Sequence, residues 1–483
     1  MPELLPIPTL TVLLGGFVLL GVVSGRFTRS ERLWLGVLLA GHVVAAWLQI
    51  LLVYQVYGTG DFISYFNYGS FQADLMRESF GRWAPVSFEL LLLGNPPYPG
   101  FTLFPGSAGG SLIALTAFQL YALGNSLHAV ALVATFFSFF ARLSLYRLLR
   151  DLVPEERRIG AFIACMAVPS VVFWTAGIIK EAWAIAGVCH AIVGLAPLVA
   201  RKRWTTGRIL QAGLGIGLVL LYKPYLLMPL AAGLGAWFAV ARLKPRRGRL
   251  LAALRPAPVI GGGLLVLIGI FALGQLVPRF GFSGLGDELA RLQEVGSYGG
   301  SAVEIGNPVE RSLLGQLAFA PQAMLTALFR PFLFEARSAL MLVNGVETAL
   351  VAALVGRALI RVRWARVPEW LLRRPWLLFS AIFTLVLALG VGLGTSNLGT
   401  LSRYRAPMMP MYALLLFELN SLRSRRFGRV RRRARAAAPP PDASDDPDTS
   451  GDRGTPHAPD AAEDRDASDR DAAPAPVDAV PAT

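Results

Sequence analysis

Long apolar runs separated by short arginine-rich links dominate the chain. Runs of about 17 to 25 residues, the length that crosses a bilayer core as a helix, lie at 7–25, 33–57, 126–147, 158–178, 182–200, 207–222, 224–241, 257–277, 339–360, 375–394 and 406–421. The pattern predicts an all-α fold, a polytopic membrane helix bundle of about eleven transmembrane helices. No basic stretch precedes the first run, which reads as a retained span and not a cleaved leader. Two further apolar stretches, 109–124 and 313–329, fit neither class by length alone.

Arginine and lysine placement decides how to treat those two. If neither crosses, the links 26–32, 142–158, 201–208, 242–255, 357–374 and 423–435 share one side and hold 32 of the 43 basic residues before residue 436. That is the asymmetry expected of cytoplasmic loops. If both crossed, the three links between them would carry 15 basic residues to the opposite side. Both stretches are therefore expected as outer interfacial or re-entrant helices. The N-terminus is then outside and the C-terminus cytoplasmic, in the plasma (inner) membrane.

Composition agrees with the pattern. Hydrophobic residues make up 54% of the 483 and charged residues 16%, and the mean hydropathy is +0.52, too apolar for a soluble domain of this length. The net charge of +15 suggests nucleic acid only until it is located. Residues 436–483 hold 12 acids and 3 arginines, so the excess of cations belongs to the links between apolar runs. No nucleic-acid partner is expected. The chain divides into a membrane domain, 1–435, and an acidic Ala/Pro/Asp-rich cytoplasmic tail, 436–483, with too little to bury to fold. The two cysteines, Cys165 and Cys189, fall inside apolar runs and fit neither a disulfide framework nor a zinc site.

With the inner cations set aside, only Arg77, Arg82, Lys180, Lys223, Arg279, Arg291, Arg311, Arg330, Arg337, Arg403 and Arg405 remain for the outer face. Inside retention does not explain these. Lys180 and Glu181 stand in "FWTAGIIKEA", between two runs with almost no link, where a local Lys180–Glu181 pair at the headgroup level is the plain structural reading. Lys223 in "LYKPY" repeats the arrangement at the next outer link. Arg403 and Arg405 in "SRYRAPMMPMY" precede the last run; two guanidiniums so spaced suit the oxygens of one phosphate, while simple headgroup anchoring is the alternative.

Asp61 opens "DFISYFNY" directly after the second run, where a carboxylate can take a proton from a hydroxyl, orient it, or bind a divalent metal ion. In "FRPFLFEARS", Arg330 and Glu335 are expected as a structural ion pair. Asn344 and Glu347 share one helix face inside a span, and a carboxylate at that depth requires a partner. His42, His128 and His190 form no metal-binding pattern and read as packing residues; phosphate-binding glycine loops, dinucleotide fingerprints and serine nucleophile elbows are absent. The outer loop 278–338 contains an expected short helix near 287–295 followed by "GSYGG".

The acid early in the first long outer loop, Asp61, together with the outer-face cations and the late "RYR.P..P" element from Arg403 to Pro410, resembles the GT-C superfamily of polytopic glycosyltransferases. "WTAGIIKEA" and "RPFLFEA" also resemble segments of multi-pass proteins associated with bacterial surface polysaccharide synthesis. The resemblance implies transfer of a sugar from a polyprenyl-phosphate carrier to a glycan, lipid or protein acceptor at the outer face, with Asp61 as base or metal ligand. The chain departs from the pattern in three respects: an extra span before Asp61, no second acid beside it, and no appended outer domain. The residues fit this chemistry independently, because a lipid-linked phosphate needs interfacial cations and its acceptor needs a carboxylate. Arg403 and Arg405 are the first candidates for the phosphate, Lys180 and Lys223 the second, and one such donor can contribute about 3 to 4 kcal/mol to the transition state. A polysaccharide polymerase or ligase, or a transporter or flippase for a lipid-linked or anionic solute, is the alternative.

Overall fold

The computed structural model describes residues 7–98, 100–199, 204–242, 284–296, 302 and 312–422. By internal contacts the chain divides into Met1–Gly428 and Arg429–Thr483. The expected span 257–277, the "GSYGG" loop after Gly296, Arg279, Arg311 and the acidic tail lie outside the described residues.

Every regular element among the described residues is helical, and the only bridge is an isolated one between Ala302 and Asn397. Among the described residues, six helical segments are long and apolar enough to cross a membrane: Arg29–Tyr57, Leu127–Leu152, Glu155–Trp174, Pro224–Ala241, Ala339–Arg361 and Pro375–Leu393. Ile7–Val23 and Thr206–Tyr222 are apolar but shorter. The final run, expected to span at 406–421, contains a 12-residue helix, Met409–Asn420, because Pro407 and Pro410 confine helix initiation there. Large apolar side chains stay exposed along these helices, among them Leu14, Val18, Leu33, Val37, Leu350 and Ile360. Such a surface is unsuited to water and suited to lipid, and the chain is a multi-pass membrane protein.

Helix α1 (Ile7–Val23) leads to α2 (Arg29–Leu51), whose start is fixed by a reciprocal cap: Thr28 accepts from the Glu31 amide and Glu31 accepts from the Thr28 amide. One π-helical turn, Leu52–Tyr57, extends α2 to Gly58. Gly58 and Gly60 have φ of +66° and +132°, a reversal that side chains disfavour, and α3 (Asp61–Glu78) begins at once. Asp61 is therefore held at a helix start against the end of α2. The first long loop continues as α4 (Phe80–Leu91) and α5 (Ala108–Ala122). α5 takes up most of 109–124, expected to lie on the interface; it is packed by α3 and α4 and largely buried.

α6 (Leu127–Arg150) is followed by a broken helix, α7 (Arg158–Met166) and α8 (Pro169–Trp174). Pro169 cannot donate to the Cys165 carbonyl four residues earlier; the buried Arg142 of α6 points a guanidinium N–H at that oxygen, 3.5 Å away. After α8 the chain turns at Gly177, φ +83°, where a Cβ would come within 2.9 Å of the Phe62 ring, and α9 (Lys180–Val199) starts.

α9 lies against α10 (Thr206–Tyr222), with Gly187, Gly194 and Gly215 at the crossing. A Cβ on Gly215 would lie 2.2 Å from the Ala191 amide, so only glycine permits this approach. It sets the first turn of α9 beside Lys223 at the end of α10.

α11 (Leu227–Arg242) packs on a later span. α12 (Leu285–Gly296) covers the helix expected near 287–295. The other stretch expected as an interfacial helix, 313–329, is two helices, α13 (Leu313–Leu317) and α14 (Ala320–Phe329). α15 (Ala339–Arg361), α16 (Val367–Arg373), α17 (Pro375–Leu393), α18 (Leu398–Tyr404) and α19 (Met409–Asn420) complete the described chain. α17 packs against α11 and α14.

Candidate functional site

Asp61, Lys180, Glu181, Lys223 and Arg403 converge from four places in the sequence. The reversal after α2 supplies Asp61, the turn at Gly177 supplies Lys180 and Glu181, the end of α10 supplies Lys223, and the capped helix α18 supplies Arg403. Asn397 caps α18 by accepting from the Gly399 and Thr400 amides at 2.9 and 3.2 Å.

Glu181 is the centre of the cluster. Its side chain is fully buried, with Lys223 Nζ 2.7 Å and Arg403 Nε 2.8 Å from Oε1. Arg403 reaches past it, placing Nη1 3.4 Å from Asp61 Oδ2. Lys180 does not pair with its neighbour Glu181, as the adjacent positions suggested. Successive helical positions point about 100° apart, and Lys180 turns instead toward the Tyr65 ring, 5.7 Å from its centroid. Lys223 Nζ stands 4.0 Å from the Tyr404 centroid and 5.7 Å from that of Tyr225, an aromatic enclosure that favours a cation.

The electrostatics follow from burial and charge. Burial alone would raise the Glu181 carboxyl, but Arg403 and Lys223 hold it down to about 2. Burial alone would lower Arg403, and the Glu181 and Asp61 carboxylates push it up instead. For Lys180 burial prevails: its ammonium is held below the usual lysine range although Asp61 and Glu181 attract the proton. Three cations face two carboxylates, leaving one net positive charge. Asp61 is the only carboxylate of the pair open to solvent, with 44% of its side chain exposed.

Asp61 lines two adjoining clefts. One, about 160 Å³, has Arg403 at its mouth and walls that include Gln49, Leu52, Val53, Trp174 and Leu340. The other, about 200 Å³, brings Asp61 together with Lys180, Tyr65, Phe104 and Ser107. No family model, curated protein or solved structure matches this chain.

A divalent ion fits the cluster poorly. Glu181 is already held by two cations, and an ion on Asp61 would adjoin Arg403. Among the described residues no group of three or more His, Cys, Asp or Glu side chains is placed to hold a metal. The donor set suits an anion.

Arg405, two positions from Arg403, belongs to a separate network. It is wholly buried, donates to the Arg330 carbonyl at 2.6 Å and lies 3.7 Å from Glu347. Glu347 also accepts from the Ser170 amide at 2.7 Å and the Ser170 hydroxyl at 2.6 Å. This supplies the partner that an acid inside an apolar run requires. Arg330 in turn makes a forked ion pair with Glu335, its Nε 3.0 and 3.2 Å from the two oxygens. The network ties α8, α15 and the Arg330–Glu335 turn to the link after α18, and it supports the site without facing either cleft.

Asn344 bonds within its own helix, to the Leu340 carbonyl. His42 is buried against Arg142, and His190 contacts Gln211. The sequence reading passed over Tyr65, Tyr404, Tyr225 and Ser170. Pro169, inside an otherwise continuous apolar run, is the signal that marks Ser170: it starts a new helix whose first amides need an acceptor.

Proposed function

We propose that this chain is a membrane glycosyltransferase that moves a sugar from a polyprenyl-phosphate carrier to a glycan, lipid or protein acceptor at the outer face of the plasma membrane. On this reading it has about eleven spans, its N-terminus outside and its C-terminus in the cytoplasm, with the Asp61 cluster at the outer mouth. The observation that carries the reading is Asp61 beside Arg403 at the mouth of a cleft with apolar walls. The walls accept an isoprenoid tail, and the cations accept the phosphate joined to it.

The acceptor hydroxyl oxygen bonds to the anomeric carbon as the bond from that carbon to the phosphate oxygen breaks. The hydroxyl proton passes to Asp61, and the departing electron pair stays on the phosphate, which Arg403 and Lys180 stabilise. Arrival of the phosphate draws Arg403 from Asp61, freeing the carboxylate oxygen to face the acceptor hydroxyl when a substrate is present. Glu181 and Lys223 position Arg403 throughout.

The test is release of polyprenyl phosphate from a panel of radiolabelled polyprenyl-phosphate hexoses, with the purified protein in nanodiscs and envelope glycan as acceptor. Release by the wild type and none by Asp61→Asn supports the reading. No release from any donor, or equal release by the variant, overturns it.

A further inference from the structure

The opposite end of the bundle contains a further cleft. From Arg29 to Tyr57 the extended α2 runs for 29 residues, about 40 Å, so its first turn is remote from Asp61. There the start of α2, the end of α6 and the start of α7 enclose about 260 Å³. Its walls include Ser30, Trp34, Tyr146, Arg150, Arg158 and Ile159.

The acids at this cleft are already engaged. Glu31 accepts from Tyr146 Oη at 2.7 Å and from the Thr28 amide at 2.9 Å, and Arg150 lies 3.2 Å away. Glu155 pairs with Arg158 at 3.5 Å, with 86% of its side chain exposed. Arg150 also donates to the Arg26 carbonyl at 3.3 Å. Both guanidiniums line the cleft and stay partly open to it, with 18% of the Arg150 and 35% of the Arg158 side chain exposed, and two guanidiniums facing one cleft suit an oxyanion. Arg26 stands in the adjoining link, Arg29 and Arg32 in the first turn of α2, and Arg147 one turn back on α6, so the surrounding field is positive.

The outer rim of the cleft is apolar. Trp34 is 55% exposed and Ile159 70% exposed, beside Val37 and Ile163, which are exposed as well. A free anion has no use for that rim, whereas a phospholipid places its phosphate between the arginines and its acyl chains along it.

We infer that this cleft, framed by Arg150 and Arg158, binds the phosphate of an anionic glycerophospholipid. The inference is independent of the sugar-transfer reading. The experiment reconstitutes the full chain in nanodiscs of equimolar phosphatidylglycerol and phosphatidylcholine, then counts the lipids retained on transfer to detergent by native mass spectrometry. The wild type is expected to retain phosphatidylglycerol preferentially. Arg158→Gln, which leaves the Glu31 network intact, is expected to lose about fivefold of that retention. Equal retention of both lipids by the wild type overturns the proposal whether or not the variant folds. Unchanged retention in a folded Arg158→Gln protein, or full displacement of the lipid by inorganic phosphate, overturns it too.

Discussion

Arg403 and Arg405 are two residues apart and face different neighbours: Arg403 reaches Asp61 at 3.4 Å, and Arg405 donates to the Arg330 carbonyl at 2.6 Å. The two guanidiniums belong to separate networks. Their substitutions should therefore fail in different ways.

Arg403→Lys preserves charge but cannot span Glu181 and Asp61 with one planar fork. Sugar transfer is expected to fall about 100-fold with the melting temperature in detergent nearly unchanged, since Lys223 still compensates Glu181. Turnover of purified donor, normalised to folded protein, checks this. Wild-type turnover in the Lys variant would remove the fork from the mechanism.

Arg405→Ala should act on stability. It leaves Glu347 buried without its cation, a loss of about 3 to 5 kcal/mol, read as a lowered melting temperature and reduced yield. Ser170→Ala should weaken the same network more mildly. An Arg405→Ala protein that is fully stable yet inactive would place Arg405 in the substrate site instead.

Asp61→Asn keeps size and hydrogen bonding and removes the proton acceptor. Transfer should drop by at least about 100-fold while insertion and abundance stay normal, because Asp61 is half exposed at a cleft mouth. Quantitative immunoblotting beside the transfer assay measures both.

Two pH limbs follow from the cluster. Glu181 is held down to about 2 by Arg403 and Lys223, below the 4.5 of an ordinary glutamate, so its contribution to stability is complete above about 4.5 and is lost as pH falls toward 2. Glu181→Gln should flatten that part of an acid-unfolding curve. Lys180, held below the usual lysine range chiefly by burial, should lose its proton, and with it part of the transfer activity, at a lower pH than an exposed lysine. Lys180→Arg should move that alkaline limb upward, and an unmoved limb would dissociate Lys180 from activity.

Topology is checked by reporter tags. Tags in the 201–208 link and after Ala436 are expected in the cytoplasm, and tags near Gly299 and Ser396 outside. An external signal from 201–208 would reverse the orientation and remove the outer-face basis for grouping these cations.

Much of the bundle is legible in the sequence because lipid imposes length and apolarity together: the six qualifying segments coincide with expected runs. The grouping of Asp61, Lys180, Glu181, Lys223 and Arg403 is legible only as a shortlist of residues in short links. Their pairing is not. Which lysine meets Glu181 depends on the crossing of α9 and α10, set by glycines whose role appears only when the helices are placed together. The divergence of Arg403 and Arg405 was readable in principle, since residues two apart on a helix do not share a face. It required knowing that α18 is helical to Tyr404. The Ser170–Glu347 contact joins residues 177 apart in sequence, beyond any local pattern.

Arg142 has a consequence for how the protein is made. It sits within the apolar α6, bonded to His42 of α2 and directed at the Cys165 carbonyl that Pro169 leaves open on α7. Released alone into lipid, α6 would expose an arginine, at about 2.5 to 3.5 kcal/mol on insertion scales. Its shelter comes half from a segment synthesised before it and half from one synthesised after it. The shelter of Arg142 is thus complete only with α2, α6 and α7 together, and the break in α7–α8 is closed by the guanidinium that needs that shelter.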